Sequence, residues 1–156
     1  MGVLFFEVFD QLSGLPDDLQ NMFQEVVIER VVVSKSTAEV KIYIQSNRLI
    51  QRPVIRKMEY QLKKQLFSRT PNKVILCDNY ILSAQYTPEK LFQIYRDSIL
   101  DEFQERNILE SKVFELADIR FEENTMIFRC EENFLIRKVS GDIITYLTDM
   151  FQNRFH

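Results

Sequence analysis

This sequence predicts an α+β protein of two small domains, on three observations. Residues 39–45 alternate apolar and polar side chains, residues 54–66 and 91–103 repeat apolar side chains at helical spacing, and the pattern breaks near residues 82–87. The domains are therefore set at 1–83 and 87–156. A chain of 156 residues, 46% hydrophobic and 28% charged, holds enough apolar material for one or two such cores.

The first domain opens with an apolar helix expected over residues 4–12, stopped by Ser13-Gly14-Leu15-Pro16. A short helix over 17–24 follows, its leading Asp17 and Asp18 suited to the positive end of the helix dipole. Residues 26–33 are rich in β-branched side chains. In 39–45, Val40, Ile42 and Ile44 alternate with Glu39, Lys41, Tyr43 and Gln45, as in a half-buried strand. Ser34 to Thr37 supply a turn of hairpin length.

After Pro53 the spacing of Val54, Met58, Leu62 and Leu66 predicts a helix with one apolar stripe, and residues 73–82 read as one bent strand or two short ones. The order is α-α-β-β-α-β.

The second domain starts on Thr87-Pro88-Glu89, which combines an N-cap hydroxyl, a proline at the first helical position and an acid in the first turn. Its helix runs to about residue 105 with Leu91, Tyr95, Ile99 and Phe103 inward. Another helix is expected over 108–116, then strands over 117–122 and 126–130 joined at Glu123-Asn124. A short helix near 133–138 and a longer one over 142–155 complete the chain, parted by Ser140-Gly141.

Charge is unevenly distributed. Arg48, Arg52, Arg56, Lys57, Lys63, Lys64, Arg69 and Lys73 stand against Glu59 alone in residues 48–73, so that segment is +7 within a chain of net charge -3. Such a field attracts phosphate, or steers an acidic protein partner. It equally describes a solvated helix face whose alkyl stems cover the core. Tyr43 and Tyr60 are placed to stack on bases or to pack at half-buried edges.

Other chemistries find little support. Cys77 and Cys130 are the only thiols and His156 the only histidine, so no zinc-ligand spacing exists, and the cysteines read as reduced small hydrophobes lying in strands. No apolar run reaches the ~18 residues of a membrane span, and the expected setting is cytoplasmic. No nucleophile, base or carboxylate set for two metals is arranged for catalysis, Asp97 and Asp101 being one turn apart on a helix face. Neither a cofactor nor a small-molecule ligand is expected.

Glu29-Arg-Val-Val-Val-Ser-Lys35, Ser46-Asn-Arg-Leu-Ile50, the segment 57–67, Leu82-Ser-Ala-Gln-Tyr-Thr-Pro-Glu-Lys-Leu91 and Asp149-Met-Phe-Gln-Asn-Arg-Phe155 resemble the N-terminal region of the PolC-type DNA polymerase III α subunit, closest to its clostridial branch among Firmicutes. The resemblance implies an NI domain similar to the α-binding domain of the clamp-loader τ subunit, then an NII domain that is KH-like, of type II, lacking its last strand. It implies a noncatalytic segment of a DNA-directed DNA polymerase with 3'-5' exonuclease, at the bacterial nucleoid and replisome. The implied partner is the clamp-loader τ subunit, with single-stranded DNA as the alternative.

Two sets of site residues follow. The partner-binding set is Arg48, Arg52, Arg56, Lys57, Lys63 and Lys64. A KH domain grips the nucleic-acid backbone with a GxxG loop between two helices. Here Arg137-Lys-Val-Ser-Gly-Asp142 stands at that place, so Arg137, Lys138 and Gly141 form the second set. With a single glycine and Asp142 repelling phosphate, that set is expected to bind single strands poorly or not at all.

Overall fold

The computed structural model describes residues 2–123, 125–131 and 133–155. They form two compact units, Met1–Leu82 and Ser83–His156. The fold is mixed α+β, with one four-stranded and one two-stranded sheet.

In the first unit, β1 (Val3–Leu4) leads directly into α1 (Phe5–Val8), followed by α2 (Asp17–Phe23), β2 (Val27–Ser34), β3 (Glu39–Ser46), α3 (Arg52–Gln65) and β4 (Lys73–Tyr80). The sheet order is β1-β2-β3-β4, antiparallel except for the β3–β4 pair, which is parallel with α3 as the crossover. Strand alternation sends Val40, Ile42, Ile44, Val74, Leu76 and Tyr80 to one face, and there Ile55, Met58 and Leu62 of α3 and Phe5, Leu19 and Phe23 complete the core. The opposite face carries Lys41, Tyr43, Gln45, Ile75 and Cys77, all half-buried.

Three expectations are corrected in this unit. The single helix over 4–12 is a two-residue strand and a four-residue helix. Pairing with β2 and the bond from the Phe5 amide to the Val26 carbonyl (2.8 Å) outweigh the local helical pattern. The buried stripe of α3 is Ile55, Met58 and Leu62, with Val54 and Leu66 only half-buried, because the parallel neighbour β4 fixes which side faces inward. Residues 73–80 make one unbroken strand, paired residue for residue with β3.

The second unit contains α4 (Pro88–Arg106), α5 (Ile108–Leu116), β5 (Asp118–Glu122), β6 (Thr125–Arg129), α6 (Phe134–Asp149) and a terminal π-helical turn, Met150–Arg154. Thr87 caps α4 as its residue type predicts, its hydroxyl accepting from the Lys90 amide (3.3 Å), and Asn107 and Asn133 cap α5 and α6 in the same way. Leu91, Tyr95, Ile99 and Phe103 face inward and are buried, as are Val113, Phe114, Val139, Ile143 and Leu147 of the following helices. Glu123 opens the β5–β6 turn at φ 54°, the left-handed conformation that such two-residue hairpins require. Asn124, its companion in the turn, and His156 lie outside the described residues.

The break at Ser140-Gly141 does not exist. One helix runs through it from Phe134 to Asp149 and on into the π-helical turn. A single glycine within a helix costs only about 1 kcal/mol, and the stripe Val139, Ile143, Leu147 and Met150, buried throughout, offsets that. Residues 137–142, the expected place of a KH-type grip on phosphate, are therefore regular helix and not a loop between two helices.

Candidate functional site

The basic side chains of the first unit belong mostly to α3. At about 100° per residue, Arg52, Arg56 and Lys63 make one row and Lys57 and Lys64 a second, with Tyr60 between them and the buried stripe behind. Lys57 and Lys64 are exposed, whereas Arg52 and Arg56 are half-buried. Tyr60 is 62% exposed, and the Lys64 ammonium lies 5.9 Å from its ring centroid.

Local chemistry engages Lys63 and Arg48 of the predicted cations. The Lys63 ammonium donates to three main-chain carbonyls, of Phe67 (3.0 Å), Thr70 (2.7 Å) and Asn72 (2.6 Å), which matches its three hydrogens. It thereby binds the loop between α3 and β4 to the helix end. Arg48 lies in the loop after β3 and donates from Nη2 to the Asn21 carbonyl (2.6 Å), satisfying a carbonyl in the last turn of α2.

Arg52, Arg56, Lys57 and Lys64 form a ridge on the side of α3 away from its buried stripe. Asp18 of α2 sits 3.5 Å from the Lys57 ammonium, both well exposed, and water screens such a pair to at most about 1 kcal/mol. The Glu59 carboxylate accepts the Leu76 amide (2.8 Å), capping the outer edge of β4.

Arg137, Lys138 and Gly141 lie on the exposed side of α6, in regular helix. Gly141 has φ in the ordinary range and nothing within 4 Å of where a Cβ would stand, so no close backbone approach requires a glycine there.

Sequence reasoning missed a buried ion pair in the second unit. Arg154 reaches Glu102 of α4 with both guanidinium arms, at 2.8 and 2.9 Å, and donates to the Tyr95 hydroxyl at 3.3 Å. The Tyr146 hydroxyl donates to the same carboxylate (3.3 Å). Burial raises the Tyr146 phenol pKa, and the Glu102 charge pushes the same way against the opposing effect of Arg154. No local pattern signals a pair separated by 52 residues. Its geometry fastens the π-helical turn to α4, which is a structural task.

Among the described residues, no helix is long and apolar enough to cross a membrane, and no cluster of three or more His, Cys, Asp or Glu side chains is placed to hold a metal.

The first unit is thus an α+β domain presenting a cationic helix beside a mixed sheet. Residues 4–75 match the family described as DNA polymerase III polC-type N-terminus I. The match ties the chain to DNA replication as an N-terminal segment of a PolC-type DNA polymerase III. No curated protein and no solved structure matches the chain.

Proposed function

We propose that this chain is a noncatalytic docking module of the replicative polymerase, and that its first unit binds the clamp-loader τ subunit through the α3 ridge. The observation that carries the reading is the grouping of Arg52, Arg56, Lys57 and Lys64 on the outer side of one helix in a chain of negative net charge. A local positive field of this kind speeds encounter with an acidic partner and orients it. In this reading the first unit is akin to the α-binding domain of τ. The second unit, read as KH-like, is assigned no nucleic-acid contact.

Calorimetric titration of the chain with τ tests the proposal. Reversing both exposed charges, Lys57→Glu with Lys64→Glu, is expected to weaken binding by about ten-fold or more, largely through slower association. Unchanged affinity rules out the ridge.

Exposed Tyr60 beside Lys64 favours a second reading, single-stranded DNA held along α3, since an aromatic platform among cations is how such strands are bound without sequence preference. Fluorescence titration at two salt concentrations separates the two readings. Phosphate contacts give a slope of about -0.7 per contact in log affinity against log salt.

A further inference from the structure

In the second unit a groove of about 520 Å³ runs between α4 and β5. Glu89, Phe92, Gln93 and Arg96 line it from α4 at the spacing of one helix face, and residues 117–121 line it from the strand. The two walls match in length, since residues 89–96 of a helix cover ~10 Å and residues 117–121 of a strand ~13 Å. Ring contacts show how they are aligned. Phe92 packs on Phe121 with centroids 5.4 Å apart, and the Arg96 guanidinium lies 5.3 Å from the ring of Phe114, just before β5. Arg96 therefore stands towards the start of β5 and Phe92 towards its end.

The strand wall offers backbone. Among the described residues β5 pairs only with β6. Glu122 and Thr125 close the turn between them and so bond each other, and by alternation the N–H and C=O of Ile119 and Phe121 point away from β6. The next amide on that side, of Ala117, already donates to the Val113 carbonyl (3.0 Å). A two-stranded ribbon with such an edge gains stability from a third strand.

The helix wall selects what that strand carries. Arg96 is half-buried against the Phe114 ring, and among the described residues no carboxylate pairs with it. The acid across the groove, Asp118, is held by Arg120 at 3.1 Å. We propose that the groove holds an extended segment of a partner protein, antiparallel to β5, with an apolar residue opposite Phe121 and an acidic residue opposite Ile119.

Side chains directly opposite on paired strands share a face, so both of these turn towards α4. Two residues along a strand span ~6.7 Å, and Phe92 and Arg96, one helical turn apart, are separated by ~6 Å along the axis. The apolar side chain thus meets Phe92 and the carboxylate meets Arg96, in the order apolar, any residue, acid. Glu89, at the other end of the helix wall, repels an acid placed there and so fixes the register. This surface belongs to the second unit and does not depend on the α3 ridge or its partner.

Fluorescence anisotropy of the full chain with a dye-labelled peptide, Thr-Thr-Val-Thr-Asp-Thr blocked at its carboxyl end, tests the proposal. Saturable binding is expected, and replacing the peptide's aspartate by lysine weakens it by about ten-fold or more. N-methylation of the peptide's valine, whose amide faces β5, abolishes binding, whereas N-methylation of the threonine between valine and aspartate, whose amide faces away, leaves it. Arg96→Glu reverses the preference in favour of the lysine peptide, with far-UV circular dichroism showing that the helices remain.

No binding of the aspartate peptide up to about 1 mM, equal binding of the lysine peptide, or equal tolerance of the two N-methyl groups overturns the proposal, and each of these readings is made on the unaltered chain.

Discussion

Lys63 illustrates how one side chain changes meaning between a sequence and a fold. It is one positive charge among eight in a basic segment, yet its ammonium bonds three carbonyls of the loop leading into β4. Lys63→Met keeps the alkyl stem and leaves those carbonyls without their donor. The expected loss is about 1–3 kcal/mol in urea denaturation, with little change in affinity for any partner of the ridge. A stability unchanged within error would mean that water serves the loop equally well. Lys64, the next residue, is exposed beside Tyr60 and is expected to behave in the opposite manner. Composition could not separate the two, because the difference lies in the carbonyls that the chain brings back four to nine residues later.

At the scale of elements, helix α6 carries the main lesson. Serine and glycine in succession resemble a helix stop, and the expected pair of helices came from giving that dipeptide more weight than the apolar stripe running across it. Burial of Val139 and Ile143 on either side holds the helix continuous, and Gly141 is left exposed with room for a side chain. Gly141→Ala is therefore expected to stabilise the protein by about 0.5–1 kcal/mol, read as a higher midpoint in thermal or urea unfolding. Destabilisation would indicate a backbone approach that only glycine permits. Other elements were legible from local chemistry: Thr87-Pro88-Glu89 marked the start of α4, and the alternation in 39–45 marked β3. The N-terminal apolar run was not, because its first residues are held by pairing with β2, a segment more than twenty positions away.

For the molecule as a whole, each unit closes its own core. The first buries Phe5, Phe23, Ile42, Ile55, Met58 and Tyr80, and the second buries Tyr95, Phe103, Phe114 and Ile143. Residues 1–82 expressed alone are expected to unfold cooperatively in urea, with an m-value of about 1 kcal/mol/M as suits a domain of that size. A broad, non-cooperative transition would mean that this core is incomplete by itself. The charge distribution also acts at this scale. The +7 segment stands out against an acidic remainder, and its field reaches a partner only within about a Debye length, ~8 Å at physiological salt, so salt concentration governs its use.

The sequence by itself determined the α+β class, the caps and stripes of most helices, the position of the basic segment and the likeness to the PolC N-terminal region, because each rests on residue types and short-range spacing. Tertiary structure alone decided that β3 and β4 run parallel, that Lys63 and Arg48 hold backbone, that Glu59 closes one sheet edge and that Glu102 meets Arg154. Each of these depends on which distant segment arrives beside a side chain, and local propensity carries no information about that arrival.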